Sequence, residues 1–145
     1  MSTGERDKHL YVTVVTPDGP VYLPGKAEDE KIRLLKRQAY EVILPLFDGY
    51  LGVQDLHTPT IGKMGYGILE IREKDKKISV YVDGGVVQIK ENHISVLASY
   101  ARAPHQLNKE KLEKELESIG AANSLETQEQ KDKLRAQIRL LTQAS

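Results

Sequence analysis

Residues 78–101 read ISVYVDGGVVQIKENHISVLASYA, and they carry the clearest strand pattern in the chain. Apolar and polar residues alternate from Ile78 to Val82, as expected of a strand that buries one face. An Asp-Gly-Gly sequence then interrupts the run, and Lys-Glu-Asn-His supplies a turn before the next β-branched run. We therefore predict a sharp bend at Gly84 and Gly85, with the runs on its two sides belonging to two different hairpins.

Runs of the same kind continue toward the N-terminus. Residues 10–15 and 20–23 flank a Thr-Pro-Asp-Gly turn, which predicts an opening hairpin. The run at 41–47 contains Pro45, which cannot donate a ladder hydrogen bond, so we predict an edge position or a bulge there. Together these runs predict an antiparallel β-sandwich or flattened barrel over residues 1–104.

A charged segment at 23–41 interrupts the strand pattern. Pro24 and Gly25 break the strand, and residues 27–37 are rich in helix formers. The apolar face of this segment is narrow, so a short exposed helix and an irregular charged loop both fit its composition. The segment connects two predicted strands.

The composition changes abruptly after Pro104. Residues 105–145 are rich in Lys, Glu, Gln, Leu and Ala, and apolar residues three to four apart predict two antiparallel amphipathic helices. A break at 120–124 separates the helices, and Asn123 or Ser124 can cap the second. The predicted fold class is therefore β plus α, a sandwich followed by a helical hairpin. The apolar stripes comprise Leu112, Leu116 and Ile119 in the first helix and Leu134, Ile138 and Leu141 in the second.

Composition excludes several functional classes. Lys plus Arg and Asp plus Glu number 21 each, so no net field attracts nucleic acid or a membrane surface. The chain has no Cys, which excludes thiolate chemistry, and its four His are too widely spaced for a metal site. No Ser-His-Asp order, phosphate-binding Gly loop or carboxylate pair indicates catalysis. Because the chain has neither a signal peptide nor an apolar run near the roughly 20 residues of a membrane helix, we expect a soluble, non-catalytic protein.

Five sequence strings, taken in order, resemble the epsilon subunits of bacterial F-type ATP synthases. VTVVTPDGPVY at 12–22 resembles the first hairpin of that family, and DGYLGVQDLHTPTI at 48–61 resembles its Gly-x-Leu-Gly followed by Gly-His-x-Pro. YGILEI, VDGGVVQI and ISVLASYARA then follow in the family's order and spacing. The resemblance covers residues 10–103 apart from the charged segment at 23–41, which is longer than in the family and is therefore implied to be a loop insertion. It continues more weakly through the helical hairpin.

The resemblance implies a non-catalytic rotor subunit of a proton-translocating ATP synthase. Residues 1–104 would couple the c-subunit ring to the catalytic head through the gamma subunit, and the hairpin at 105–145 would inhibit ATP hydrolysis. The implied partners are gamma, the c-ring and, transiently, the alpha and beta subunits, at the cytoplasmic face of the cell membrane and without nucleic acid or direct membrane contact. A free-standing β-sandwich binding module that oligomerises through its helices is the alternative.

The segment at 48–61 is the candidate for contact with the c-ring under this resemblance. We interpret it as a loop that presents Tyr50, Gln54 and His57, which are able to touch polar loops of a partner. A purely structural role is the alternative, because a tight loop needs residues such as His57 and Pro59 in either case.

Two departures from the family pattern have chemical content. Asp55 and Leu56 replace the usual Pro-Gly before the family His, and we expect a different backbone there because Leu avoids the positive φ that Gly adopts. The family motif linked to ATP binding opens the first C-terminal helix, and Asn108 and Lys111 stand here in place of its Asp and Arg. Asn lacks the carboxylate and Lys lacks the planar fork of Arg, so the nucleotide site is incomplete.

Arg135 and Arg139 occupy the family's basic positions in the second helix. Because they are four residues apart, they lie on one side of that helix and could grip a triphosphate or an acidic protein surface. A solvated charged face is the alternative. We therefore expect a basic regulatory face, weak or absent ATP binding, and no cofactor or metal.

Overall fold

A computed structural model of the chain describes residues 10–21, 37–74, 76–121 and 124–144. The helix predicted at 27–37 lies outside the described residues except for Arg37, which belongs to a strand. The part of the opening hairpin beyond Val21 also lies outside them.

The described residues form nine β-strands, one 3-10 turn and two α-helices, and all nine strands precede the helices. The strands are β1 (Leu10–Thr16), β2 (Gly19–Pro20), β3 (Arg37–Ala39), β4 (Glu41–Leu46), β5 (Gly49–Gln54), β6 (Thr60–Lys63), β7 (Tyr66–Arg72), β8 (Lys77–Lys90) and β9 (His93–Arg102). The 3-10 turn spans Pro104–Gln106, and the helices are α1 (Lys109–Ile119) and α2 (Leu125–Ala144).

The sheet folds around β8. The first half of β8 pairs with β7, its second half pairs with β6, and β9 runs beside both halves. The change of partner falls at Gly84 and Gly85, whose φ angles of 72° and 100° are rare for residues with a side chain. A Cβ at Gly85 would also overlap the carbonyl oxygen of Leu97. The predicted bend is confirmed, but the runs on its two sides form one continuous strand.

The hydrogen-bonded strand order is β2-β1-β9-β8-β7-β4-β5, with β3 beside β1 and β6 beside β8. The bent sheet forms the two layers of a β-sandwich, which confirms the predicted fold class. One pairing departs from the antiparallel arrangement, because β1 runs parallel to β9 with Val12 opposite Ile94. Parallel strands need a long connection, and local sequence patterns do not indicate such distant pairing.

Pro45 lies in β4, an interior strand between β5 and β7. Of the two predicted settings, an edge position or a bulge, the edge position is therefore wrong. The ladder between β4 and β7 runs only from Glu41 to Ile43 and ends before Pro45, so no donor is required there. The carbonyl oxygen of Pro45 instead accepts a hydrogen bond from the N–H of Gly65 at 3.0 Å.

The sandwich encloses one continuous apolar core. The alternation along β1 buries Leu10, Val12 and Val14 and leaves the residues between them half-exposed. Strands β4, β7, β8 and β9 contribute the same kind of face to this cluster. Close packing of this type makes a stiff domain, because protein interiors are as dense as organic crystals.

Both helices begin at polar caps. Asn108 Oδ1 accepts a hydrogen bond from the N–H of Lys111 at 3.1 Å, and Ser124 Oγ accepts one from the N–H of Thr127 at 3.1 Å. Ser124, one of the two predicted caps, is therefore confirmed as a cap, and Asn123 lies outside the described residues. Gly120, with a φ of 63°, ends α1 as expected of a residue free to adopt the left-handed region.

Helix α2 buries a different set of residues from the predicted stripe. Leu134 is buried as predicted, whereas Ile138 and Leu141 are only half-buried. Ala136 and Leu140 are buried instead. The reason is that α2 packs against β7 and β8 as well as against α1, so its buried side is wider than a single stripe.

Candidate functional site

The helical hairpin docks on the sandwich through a small apolar cluster. Ile68 of β7 and Tyr81 of β8 meet Ala136 and Leu140 of α2, and all four side chains are buried. Ile68 and Tyr81 belong to this cluster rather than to the sandwich core, so they lie on the outer face of the sheet. The docking surface is therefore separate from the core that holds the sandwich together.

A salt bridge beside this cluster joins α2 to β8. Lys133 Nζ lies 3.0 Å from Asp83 Oδ2, 3.5 Å from Glu129 Oε1 and 5.2 Å from the centroid of the Tyr66 ring. The side chains of Lys133 and Asp83 are each 28% exposed. Burial by itself lowers the pKa of Lys133, but the hydrogen bonds and charges of Asp83 and Glu129 outweigh it and raise the pKa above its ordinary value. The ammonium group is therefore held in its charged form.

A cleft of about 420 Å³ opens next to the salt bridge, between the hairpin and the sheet. Tyr81, Tyr100, Glu115 and Gln137 are among the residues that line it. Tyr81 is only 1% exposed, and its hydroxyl has no hydrogen-bond partner among the described residues. Burial raises the pKa of Tyr81 well above its ordinary value, and the nearby charge of Asp83 adds to that effect. The docking surface is thus less completely packed and paired than the sandwich core.

The predicted regulatory residues of the hairpin lie on its exposed surface. Arg135 and Arg139 share the exposed side of α2, and Arg135 Nη1 lies 3.7 Å from Asp132 Oδ1 of the same helix. Lys111 is also exposed. Asn108 uses its side-chain oxygen as the cap of α1, which is a structural role that sequence reasoning did not assign to it.

The residues predicted to touch the c-ring do not share one loop. Tyr50 and Gln54 lie in the edge strand β5, and only His57 lies in the loop that follows, so the prediction of a loop over 48–61 is wrong. Their positions on one strand put Tyr50 and Gln54 on the same face. A Cβ at Gly67 would lie 2.6 Å from the Tyr50 hydroxyl, so Tyr50 packs over that glycine. His57 Nδ1 lies 2.8 Å from the carbonyl oxygen of the next residue.

Asn92, in the turn between β8 and β9, holds the loop that carries His57. Its Oδ1 accepts a hydrogen bond from the N–H of Leu56 at 2.9 Å, and its Nδ2 donates to Asp55 Oδ1 at 2.6 Å. Leu56 adopts a φ of 62°, so the expectation that Leu would avoid a glycine-like backbone is wrong. The Asn92 contacts supply the fixed partners that such a strained conformation needs.

An exposed apolar surface on the sandwich was not found by sequence reasoning. Ile61, Val86 and Leu97 are 77%, 46% and 53% exposed. Val86 pairs with Leu97 on one side and with Lys63 on the other, and Ile61 is two residues from Lys63, so the three apolar side chains share one face of the sheet. We call Ile61, Val86 and Leu97 the outer apolar face. The sequence feature that could have indicated this face is the adjacent pair Val86 and Val87. Neighbouring residues of a strand point to opposite faces, so two adjacent apolar residues indicate a strand that is covered on both faces.

Across the described ranges, no group of three His, Asp or Glu side chains could hold a metal ion. The helices in that part of the chain include none that is both long and apolar enough to cross a membrane.

Comparison with known families defines the class of this fold. The sequence-family model for the β-sandwich domain of the ATP synthase delta/epsilon chain matches residues 30–104. The molecule is therefore a delta/epsilon-type β-sandwich followed by a helical hairpin.

Bacterial ATP synthase epsilon chains are similar to it in sequence. The epsilon chain of Leptospira interrogans is 34% identical over 103 residues, which cover 71% of this chain and 78% of the relative. That of Bacillus subtilis is 30% identical over 106 residues, covering 73% and 70%. The chain belongs to the ATP synthase epsilon chain family. The epsilon chain is a structural and regulatory subunit of ATP synthase and is not catalytic.

Two solved structures share the fold. A chain of the Euglena gracilis mitochondrial ATP synthase, in a structure of OSCP, F1 and c-ring, has a TM-score of 0.68 at 18% identity and covers 99% of this chain and 86% of that one. A chain of the Tetrahymena thermophila mitochondrial ATP synthase central stalk and c-ring has a TM-score of 0.52 at 15% identity, with coverage of 93% and 95%.

Proposed function

We propose that this chain is a central-stalk subunit that couples the c-ring to the catalytic head through gamma and restrains ATP hydrolysis with its helical hairpin. It would act as a peripheral subunit at the cytoplasmic face of the cell membrane. The observation that carries the proposal is the contrast between a closely packed sandwich with an exposed apolar face and a hairpin held by a small, partly polar surface. Membership of the epsilon chain family supports it.

The outer apolar face is the candidate surface for gamma. Exposed apolar patches on a sheet mark contact sites for protein partners, because leaving them in water is unfavourable. This face spans β6, β8 and β9, and β8 and β9 also contribute to the closely packed core, which suits a subunit that transmits torque.

Co-purification with gamma tests this surface. Leu97→Asp places a charge in the outer apolar face, and Leu125→Asp is the matched control because Leu125 is exposed at the start of α2. We expect Leu97→Asp to reduce recovery of gamma about tenfold or more and Leu125→Asp to leave it unchanged. Equal recovery for both variants would contradict the assignment of this face.

The end of the sandwich near His57 is the candidate for the c-ring. Gln54, Leu56 and His57 are at least partly exposed there, and Asn92 fixes the loop between them. Tyr50 belongs to the same edge strand, but its packing over Gly67 gives it a structural role as well. Because the chain has no Cys, His57→Cys supplies a single thiol for cross-linking to the ring. Failure to cross-link in an assembled, coupled enzyme would contradict this contact.

The hairpin is the candidate inhibitory element. The exposed Arg135 and Arg139 can meet acidic segments of the alpha and beta subunits when the hairpin leaves the sandwich.

Deleting residues 105–145 should raise ATP hydrolysis by the assembled enzyme while leaving its assembly and coupling largely intact. The Arg135→Ala and Arg139→Ala double variant should reproduce part of that activation. The activating effect should shrink at high salt, because exposed charges are screened over about 10 Å at 0.1 M ionic strength. Equal hydrolysis rates for all three enzymes would leave this subunit as a coupling element only.

Nucleotide binding by the hairpin should be weak or absent. Asn108 and Lys111 lack the carboxylate and the guanidinium of the family motif, and Asn108 is engaged as a helix cap. Calorimetric titration of the full chain with ATP measures this directly, and micromolar affinity would contradict the expectation.

A further inference from the structure

The docked hairpin is held by an apolar contact and by a polar contact. The apolar part is small, since Ala136 contributes one methyl group and Leu140 is the large aliphatic side chain that α2 places in the cluster. The cleft beside it leaves Tyr81 without a hydrogen-bond partner among the described residues. The apolar contact is therefore small and lies beside an open cleft.

The polar part is centred on Lys133. This side chain lies between Asp83, which is fixed at the glycine bend of β8, and Glu129 one turn earlier on α2, with the Tyr66 ring beside it. Lys133 therefore neutralises two carboxylates that docking brings close together. Without its charge, Asp83 and Glu129 would repel each other across the interface.

We propose that Lys133 and Asp83 form a latch that sets the fraction of the chain whose hairpin is docked on the sandwich. The proposal rests on the proposed regulatory function of the hairpin and names the contact that controls it. When the latch opens, Lys133 leaves Asp83 and joins Arg135 and Arg139 as a third cation available to an acidic partner. Docking and inhibition then compete for the same side chain.

The absence of Cys from the sequence allows a thiol to report on docking. Ala136→Cys places one thiol in the docking cluster, where reagent reaches it only when the hairpin moves away, and Ala98→Cys places one in the sandwich core as a matched reporter of global unfolding. The alkylation rate of each thiol is proportional to the population of the corresponding open state, so even a rare state is measured.

The latch variant is Lys133→Met, which removes the charge and keeps an unbranched side chain. We expect it to raise the alkylation rate of the Ala136→Cys thiol about tenfold and to leave that of the Ala98→Cys thiol unchanged. Arg135→Ala is the matched control, because Arg135 pairs within α2 and is 57% exposed. This control should leave both rates unchanged. The charge exchange Lys133→Asp with Asp83→Lys should bring the rate back toward that of the parent chain.

Two results would overturn the latch. One is a parent-like rate at position 136 in the Lys133→Met chain, and the other is an equal rise at positions 136 and 98, which would mean global destabilisation. The thiol measurement uses the full chain alone, so it is independent of the hydrolysis assay. Asp83→Asn opens the latch and keeps the charge of Lys133. If Asp83→Asn raises the alkylation rate at position 136 but hydrolysis by the assembled enzyme does not change, the latch stands and the proposed inhibitory function fails.

Discussion

The sandwich core and the docking surface of the hairpin both bury apolar side chains, but the core is more completely packed. Side chains such as Leu44, Ile71 and Val80 are fully enclosed in the core. The docking surface instead combines a few buried residues with a salt bridge, an open cleft and the hydroxyl of Tyr81. One chain therefore contains a completely packed core and a less completely packed docking surface, and local stability depends on how fully each surface is packed and paired.

The largest effect is expected at Gly85, because the closely packed sandwich should not tolerate an added side chain there. Gly85→Ala should lower the free energy of unfolding by about 3 kcal/mol or more, because a Cβ there would overlap the carbonyl oxygen of Leu97 and the φ of 100° is unfavourable. Gly19→Ala is the control, since Gly19 has a φ of 120° but no atom within 4 Å of the added Cβ. Chemical denaturation measures both, and equal losses would show that backbone conformation alone sets the cost.

Truncation after Pro104 should show that the sandwich is an autonomous unit. The fragment keeps the whole sandwich core and loses only what covers Ile68 and Tyr81. We expect a single cooperative thermal transition, with a Tm lower than that of the full chain by roughly 5 °C. A broad, non-cooperative transition would mean that the hairpin is part of the fold and not an appendage.

Alkaline pH should weaken the docking surface before it affects the core. Burial raises the pKa values of Tyr66 and Tyr81 above 10, whereas the tyrosines of the unfolded chain lose their protons near 10. Their stabilising contribution is therefore intact below pH 10 and declines above it. For the buried Tyr81 the decline is about 1.4 kcal/mol per pH unit while its hydroxyl stays protonated, and Tyr66 contributes less because solvent screens it. Lys133 acts in the same direction. Because its pKa is raised in the folded chain, its contribution to stability is complete below pH 10.5 and is lost as the pH rises above the pKa of the folded state.

Thermal unfolding between pH 9 and pH 11 measures this decline, with tyrosinate absorbance as a second signal. Tyr81→Phe is the matched variant, since it keeps the ring and removes the ionisable hydroxyl. It should show a shallower decline than the parent chain. The same slope in both would exclude Tyr81 as a source of the alkaline effect.

The smallest effect is expected in the loop after β5, where the sandwich itself carries local strain. Leu56→Gly should raise the free energy of unfolding by about 0.5–1 kcal/mol, because Gly accepts a φ of 62° without strain. Thr58→Gly in the same loop is the control and should be destabilising, since Thr58 has no positive φ to relieve. A loss of stability in Leu56→Gly would mean that the exposed Leu side chain matters more than the backbone.

The sequence by itself determined the features that depend on neighbouring residues. Alternation predicted most of the strands, the glycine pair predicted the bend in β8, and Ser124 was correctly placed among the possible caps of α2. The four-residue spacing of Arg135 and Arg139 was enough to put them on one side of a helix. Each of these follows from local backbone geometry, which a short stretch of sequence specifies.

Only the tertiary structure decided which distant segments meet. The parallel pairing of β1 with β9, the position of Tyr50 in an edge strand and the outer apolar face all depend on strand order and register. The contact between Lys133 and Asp83 depends further on how α2 is rotated against the sheet. Periodicity shows that a residue has a buried face, but the partner of that face is chosen by the packing of the whole chain, because burial is favourable against any apolar surface of fitting shape.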